Sequence, residues 1–217
     1  MSSQSSIFAP EVPSESQLPA FRRRLLALVV LYSLAVAALP HVLDEPAIRL
    51  ALRLQARLSF GLFVAALAGP GLERLLPSRA SHTLARERSS LIVAFGLSHL
   101  IHGVWIVLFF LFTPHVFSWN LVDTSGLVAF PLIALLVFAE LAVGRRLLGA
   151  GVRYVERAVL AYAWVQFFGF FVMRTQTGSP SLLGWYVVAL ILSLAAAALA
   201  WVGAAGSSAT GARAGEC

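Results

Sequence analysis

The most constraining stretch of the chain runs from Arg86 to Pro114 and reads RERSSLIVAFGLSHLIHGVWIVLFFLFTP. An arginine-bearing segment leads into a run of about 23 mostly apolar residues, enough for an α-helix to cross a bilayer core. In lipid the backbone must satisfy its own hydrogen bonds, so the run is read as a helix. Two histidines, His99 and His102, interrupt it near its middle. A histidine in hydrocarbon is unfavourable without a partner, which makes both residues candidates for function. Their i, i+3 spacing sets both rings on one side of the helix, about one turn apart.

The rest of the chain has the composition such a helix needs around it. Of its 217 residues, 59% are hydrophobic and only 12% are charged, and the apolar residues come in long blocks. The expectation is an all-α integral membrane protein. The formal charge of +6 comes from 16 basic residues, all arginine. They gather at the ends of the apolar runs, so membrane topology explains them and nucleic-acid binding does not. The single cysteine, Cys217, is the last residue, so no internal disulfide can form. Its tail GARAGEC is not a prenylation box.

Residues 1–20 are rich in Ser and Pro and are expected to be disordered. Six spans are expected between residues 21 and 205, followed by a disordered tail over 206–217. The first covers Leu25 to Leu39, after Arg22, Arg23 and Arg24. The second lies within 46–72, where Arg49, Arg53 and Arg57 form a charged stripe that snorkels to lipid phosphates. Gly69-Pro70-Gly71 is expected to break that helix, and an arginine-rich loop is expected over 73–89. The third span ends near Pro114, the fourth covers 126–144, the fifth 158–173 and the sixth 181–203.

The loops at 73–89 and 144–157 carry four arginines each, whereas 115–125 has none and 174–180 has only Arg174. The positive-inside rule then predicts a cytoplasmic (inner) membrane protein with both termini inside. The third and fifth spans start on that side. His99 lies roughly 16 Å into the membrane from Arg88, and Gln166 roughly 14 Å in from Arg157, at the helical rise. If those two helices pack together, Gln166 faces the histidines. Small residues (Gly96, Ser98, Gly103, Gly169) would permit the approach.

This order of elements resembles the ferric-reductase-like transmembrane domain. The resemblance is carried by Arg86 and Arg88, by FGLSHLIH with His99 and His102, and by LFVAALAGPGLERLLP before it, over about residues 45–174. It implies a b-type haem held between a histidine on the third helix and one on the fifth, passing electrons across the membrane. The fifth helix, AVLAYAWVQFFGFFVM, has no histidine. Its polar residues are Gln166 and Tyr162, with Met173 farther along. His99 and His102 cannot both be axial ligands, because they project from one side of one helix.

Three readings follow. A haem binds through His99 or His102, with the sixth position open, filled by Met173 or supplied by a second subunit. Alternatively, His99 and His102 bind another metal or a quinone, although two ligands are few for a metal. Or the histidines hold helices together and the protein is a haem-free structural or accessory membrane subunit. With no nucleotide motif, CxxC or soluble reductase domain in the sequence, any electrons would come from a redox partner protein or a quinone. Among the remaining candidates, His41 and His115 are expected at the outer surface and His82 in a solvated loop. Glu140 is expected in an end-of-helix ion pair with Arg145 or Arg146. Tyr162 and Trp164 are expected in core packing.

Overall fold

The computed structural model describes residues 18–39, 44–114, 121–178 and 180–213. The expected N-terminal disorder up to residue 17, and the expected surface positions of His41 and His115, lie outside the described residues. Every described regular element is helical. In chain order these are α1 (Leu18–Ala38), α2 (Glu45–Leu75), α3 (Arg79–Arg86), α4 (Arg88–Phe112), α5 (Leu121–Glu140), α6 (Ala142–Leu148), α7 (Val152–Thr177) and α8 (Leu183–Arg213).

Four segments are long and apolar enough to cross a membrane: Glu45–Leu75, Arg88–Phe112, Ala142–Thr177 and Pro180–Ala204. A shorter apolar helix spans Thr124–Glu140. The outward faces suit lipid. Leu28, Leu31 and Leu34 on α1, Val104, Val107 and Leu111 on α4, and Ile191 on α8 all point away from the core. An apolar surface this continuous would be a liability in water and is matched by acyl chains.

Helix α2 is the central element, packed against α1, α3, α4 and α8. Its start is well specified. Asp44 caps it by accepting from the Ala47 amide at 2.9 Å, and Glu45 and Pro46 occupy the first turn. Its end differs from the sequence expectation. The helix does not break at Gly69-Pro70-Gly71 but continues to Leu75. Pro70 has no N–H, so the Ala66 carbonyl loses its normal helical donor. Arg88 supplies the replacement, its Nε–H donating to the Ala66 oxygen at 3.0 Å. The two glycines serve packing. A Cβ at Gly71 would run into the backbone of Leu199 on α8, and one at Gly69 would press on the backbone of Leu84 on α3.

The segment expected as a loop over 73–89 also folds. Ser78 and Ser81 form a reciprocal capping box, and α3 follows at once. Likewise 144–157 is mostly helix, because α6 and the first turns of α7 fill it around Gly149. Gly149 has φ 52°, a backbone conformation that glycine adopts without a Cβ clash.

The arginine-rich end is tied together by charge. Arg88 pairs with Glu156 of α7. Glu140, at the end of α5, pairs with Arg145 at 2.6 Å, as its position in the sequence suggests. Ser89 donates to the same carboxylate at 2.6 Å and accepts from Arg145 at 2.7 Å. Through Arg88 and Ser89, the first turn of α4 therefore touches α2, α5, α6 and α7.

Above this end the core is aromatic. Phe60 and Phe63 on α2, Phe95 on α4, and Phe167 and Phe171 on α7 form a continuous cluster, with neighbouring ring centroids 4.8–6.3 Å apart. Such tilted, edge-on and stacked contacts are favourable beyond the area they bury.

Candidate functional site

His99 and His102 lie on one side of α4, as their spacing predicts, with ring centroids 5.6 Å apart. His99 sits among three phenylalanines. Phe95 of its own helix is 5.6 Å away, Phe130 of α5 is 5.4 Å away, and Phe167 of α7 is 5.9 Å away and edge-on. Phe130 fits because Gly103 has no side chain, since a Cβ there would meet its ring. The Nδ1 atoms of both histidines are buried without a hydrogen-bond partner.

The small residues do a different job from the one expected. Gly96 and Gly103 admit Val137 and Phe130 of α5, while Gly169 has open space around it. They therefore bring α5, not α7, against α4. The main neighbours of α4 are accordingly α2, α5 and α1.

Gln166 has its own partner. Ser125 Oγ of α5 donates to Gln166 Oε1 at 3.1 Å, and the Tyr162 hydroxyl donates to the Ser125 carbonyl at 2.7 Å. Both α7 residues thus clamp α7 to α5. Successive residues lie about 100° apart around a helix. With Phe167 turned to His99, Gln166 is carried round toward α5. Trp164 holds the other neighbour of α7, donating from Nε1 to the Ser193 carbonyl of α8 at 3.0 Å.

The polar centre of the bundle is a residue that the sequence reading passed over. Gln55 of α2 is fully buried. Its Nε2 lies 3.1 Å from Ser33 Oγ of α1, and 3.1 Å from both the carbonyl and the Oγ of Ser98 on α4. Ser59 shares a 2.9 Å hydrogen bond with Ser98 Oγ. Three helices therefore meet at the Gln55 amide, and its partner Ser98 is next to His99 in sequence. The signal was present: Gln55 and Ser59 are spaced i, i+4, about 200° round the helix from Arg53 and Arg57. The arginine stripe drew attention to the opposite face.

Replacing Gln55 with leucine is expected to lower unfolding stability by about 1–2 kcal/mol, the scale of interhelical hydrogen bonds in membranes. Detergent unfolding of the purified variant measures it. A variant as stable as the parent would show that the amide holds nothing.

The residues do not fit a haem clamped between α4 and α7. Such a group needs ligands on opposite faces of the ring. α4 supplies both of its histidines from one side, and α7 presents Phe167 to His99 while Gln166 bonds Ser125. Nor is there a group of three or more His, Cys, Asp or Glu side chains placed to hold a metal ion among the described residues. What the arrangement offers is a pair of imidazoles, His99 among three phenylalanines and His102 against His99, each with an unpartnered Nδ1, beside a satisfied Gln–Ser network.

Comparisons with protein-family models, with curated proteins and with solved structures give no match for this chain.

Proposed function

We propose that this chain is a six-span protein of the cytoplasmic membrane, with both termini inside, that works without haem as an accessory membrane subunit. The observation that carries the haem-free reading is the orientation of α7. It turns Phe167 toward His99 and gives Gln166 to Ser125, so the helix that should complete a haem site is used for packing. The six-span reading adds α1 and α5 to the four long apolar segments. Its orientation follows from the arginines gathered with Arg88 and Arg145 at one end of the bundle.

An absorption spectrum tests the first part. Protein expressed with abundant haem and purified in detergent is expected to show no Soret band in proportion to its concentration. A stoichiometric band that disappears in His99→Ala would overturn the reading. Reporter fusions test the second part. A periplasm-dependent reporter placed after residue 119 or 177 is expected to be active, and one at the C-terminus inactive; the reverse pattern inverts the topology.

A second reading has one specific observation behind it. The buried Nδ1 atoms of His99 and His102 lack partners in the protein. Buried polar atoms are rarely left so, and a ligand that donates a hydrogen bond or supplies a metal would satisfy them. A quinol is one such donor. Metal analysis and quinone extraction of the same preparation decide this. A stoichiometric metal or quinone that His99→Phe removes would favour it over the accessory role.

A further inference from the structure

A cleft opens between α2, α7 and the start of α8, away from the face of Gln55. Arg53 and Arg57 of α2, Phe167 and Phe171 of α7, and Trp185 and Tyr186 of α8 line it. The Arg57 guanidinium lies over the Trp185 ring, 5.0 Å from its centroid. Arg49, one turn earlier, has Glu45 as its ion-pair partner at 2.7 Å. Arg53 and Arg57 have neither a carboxylate nor a hydrogen-bond partner among the described residues.

The cleft sits at headgroup depth. Gly203 of α8 packs against Pro70 near the arginine-rich end. Trp185 lies 18 residues earlier in the sequence, which is about 27 Å along the helix. That length nearly spans the ~30 Å hydrocarbon core, so Trp185 and Tyr186 reach the opposite membrane interface, where such residues are favoured. The cleft thus has two uncompensated cations at an interface and a phenylalanine wall running inward from them.

We propose that this cleft binds one anionic phospholipid. Arg53 and Arg57 take the phosphate and its headgroup charge, and an acyl chain lies along Phe170 and the partly buried Phe167. Charge complementarity selects this occupant. A quinone has the apolar part but no anion, and a soluble anion has no use for the aromatic wall. Guanidinium–phosphate pairs are strong because the planar fork matches the phosphate oxygens. Lipid binding here does not depend on the histidine site or on which way the bundle is oriented.

Native mass spectrometry of the full chain tests this, with phosphatidylglycerol and phosphatidylcholine competing in detergent micelles. One phosphatidylglycerol is expected to be retained in preference to phosphatidylcholine. Binding should weaken about fivefold for each arginine removed in Arg53→Gln and Arg57→Gln. Equal retention of the two lipids would overturn the proposal, as would a preference unchanged in both variants. Thermal unfolding gives a second readout. Phosphatidylglycerol is expected to raise the midpoint in the parent and to lose that effect in the double variant. An equal rise with inorganic phosphate alone would identify a free-anion site and reject the lipid. If the double variant does not accumulate, Arg53→Gln alone decides, because that side chain has no ionic or hydrogen-bond partner in the described protein to lose.

Discussion

Arg88→Leu is expected to cost about 2–3 kcal/mol of unfolding stability, below most of the range for one partner of a fully buried ion pair, because the Arg88 side chain is 28% exposed. The substitution strands two groups. Glu156, whose side chain is only 13% exposed, loses its guanidinium. The Ala66 carbonyl, already without a helical donor because of Pro70, loses Nε–H. Arg88→Lys should recover part of the loss, because an ammonium can meet the carboxylate but lacks the fork that reaches the carbonyl too. A double-mutant cycle isolates the second contribution. In Pro70→Ala the residue-70 amide can donate to Ala66 again, so the Arg88 substitution should cost about 1–2 kcal/mol less in that background. Equal costs in both backgrounds would mean that the carbonyl contact contributes nothing. Unfolding in mixed micelles with a graded denaturing detergent measures each corner.

Gly71→Val is expected to dislodge α8. The added Cβ would overlap the Leu199 backbone, which belongs to a packed helix and cannot swing aside as a side chain can. Overpacking a core usually costs about 1–3 kcal/mol, and a backbone obstacle places this variant at or above the top of that range. The Arg74 contact to the Val202 carbonyl and the fit of Gly203 on Pro70 lie in the same interface and should weaken with it. Limited proteolysis within α8 should accelerate, and the thermal midpoint should fall. Gly61→Ala and Gly169→Ala are the controls. Nothing lies within 4 Å of a Cβ at either position, so both should be neutral or stabilising, by up to about 1 kcal/mol from helix propensity. A Gly71→Val protein as stable as these controls would refute the α2–α8 packing.

The sequence by itself determined much of the chain. Long apolar blocks and scarce charge impose helices, four of them long and apolar enough to cross a membrane, because lipid offers a backbone no other partner. Helical periodicity placed His99 and His102 on one side of α4. Proximity along the chain paired Glu140 with an arginine of the following turns. All of these are consequences of local order, and periodicity reads local order directly.

Other features were decided only by tertiary contacts. Pro70 reads as a helix break until Arg88, distant in sequence, is seen to fill the vacant carbonyl at Ala66. Gly96 and Gly103 mark a close helix contact, but only the packed bundle shows that α5 makes it. Gln166 was at a suitable depth for the histidines, yet depth does not fix rotation about the helix axis. The packing of Phe167 into the aromatic core sets that rotation, and it carries Gln166 to Ser125. Gln55 became the polar centre for the same reason: its role depends on which helices close over its face, and a one-dimensional pattern does not encode that choice.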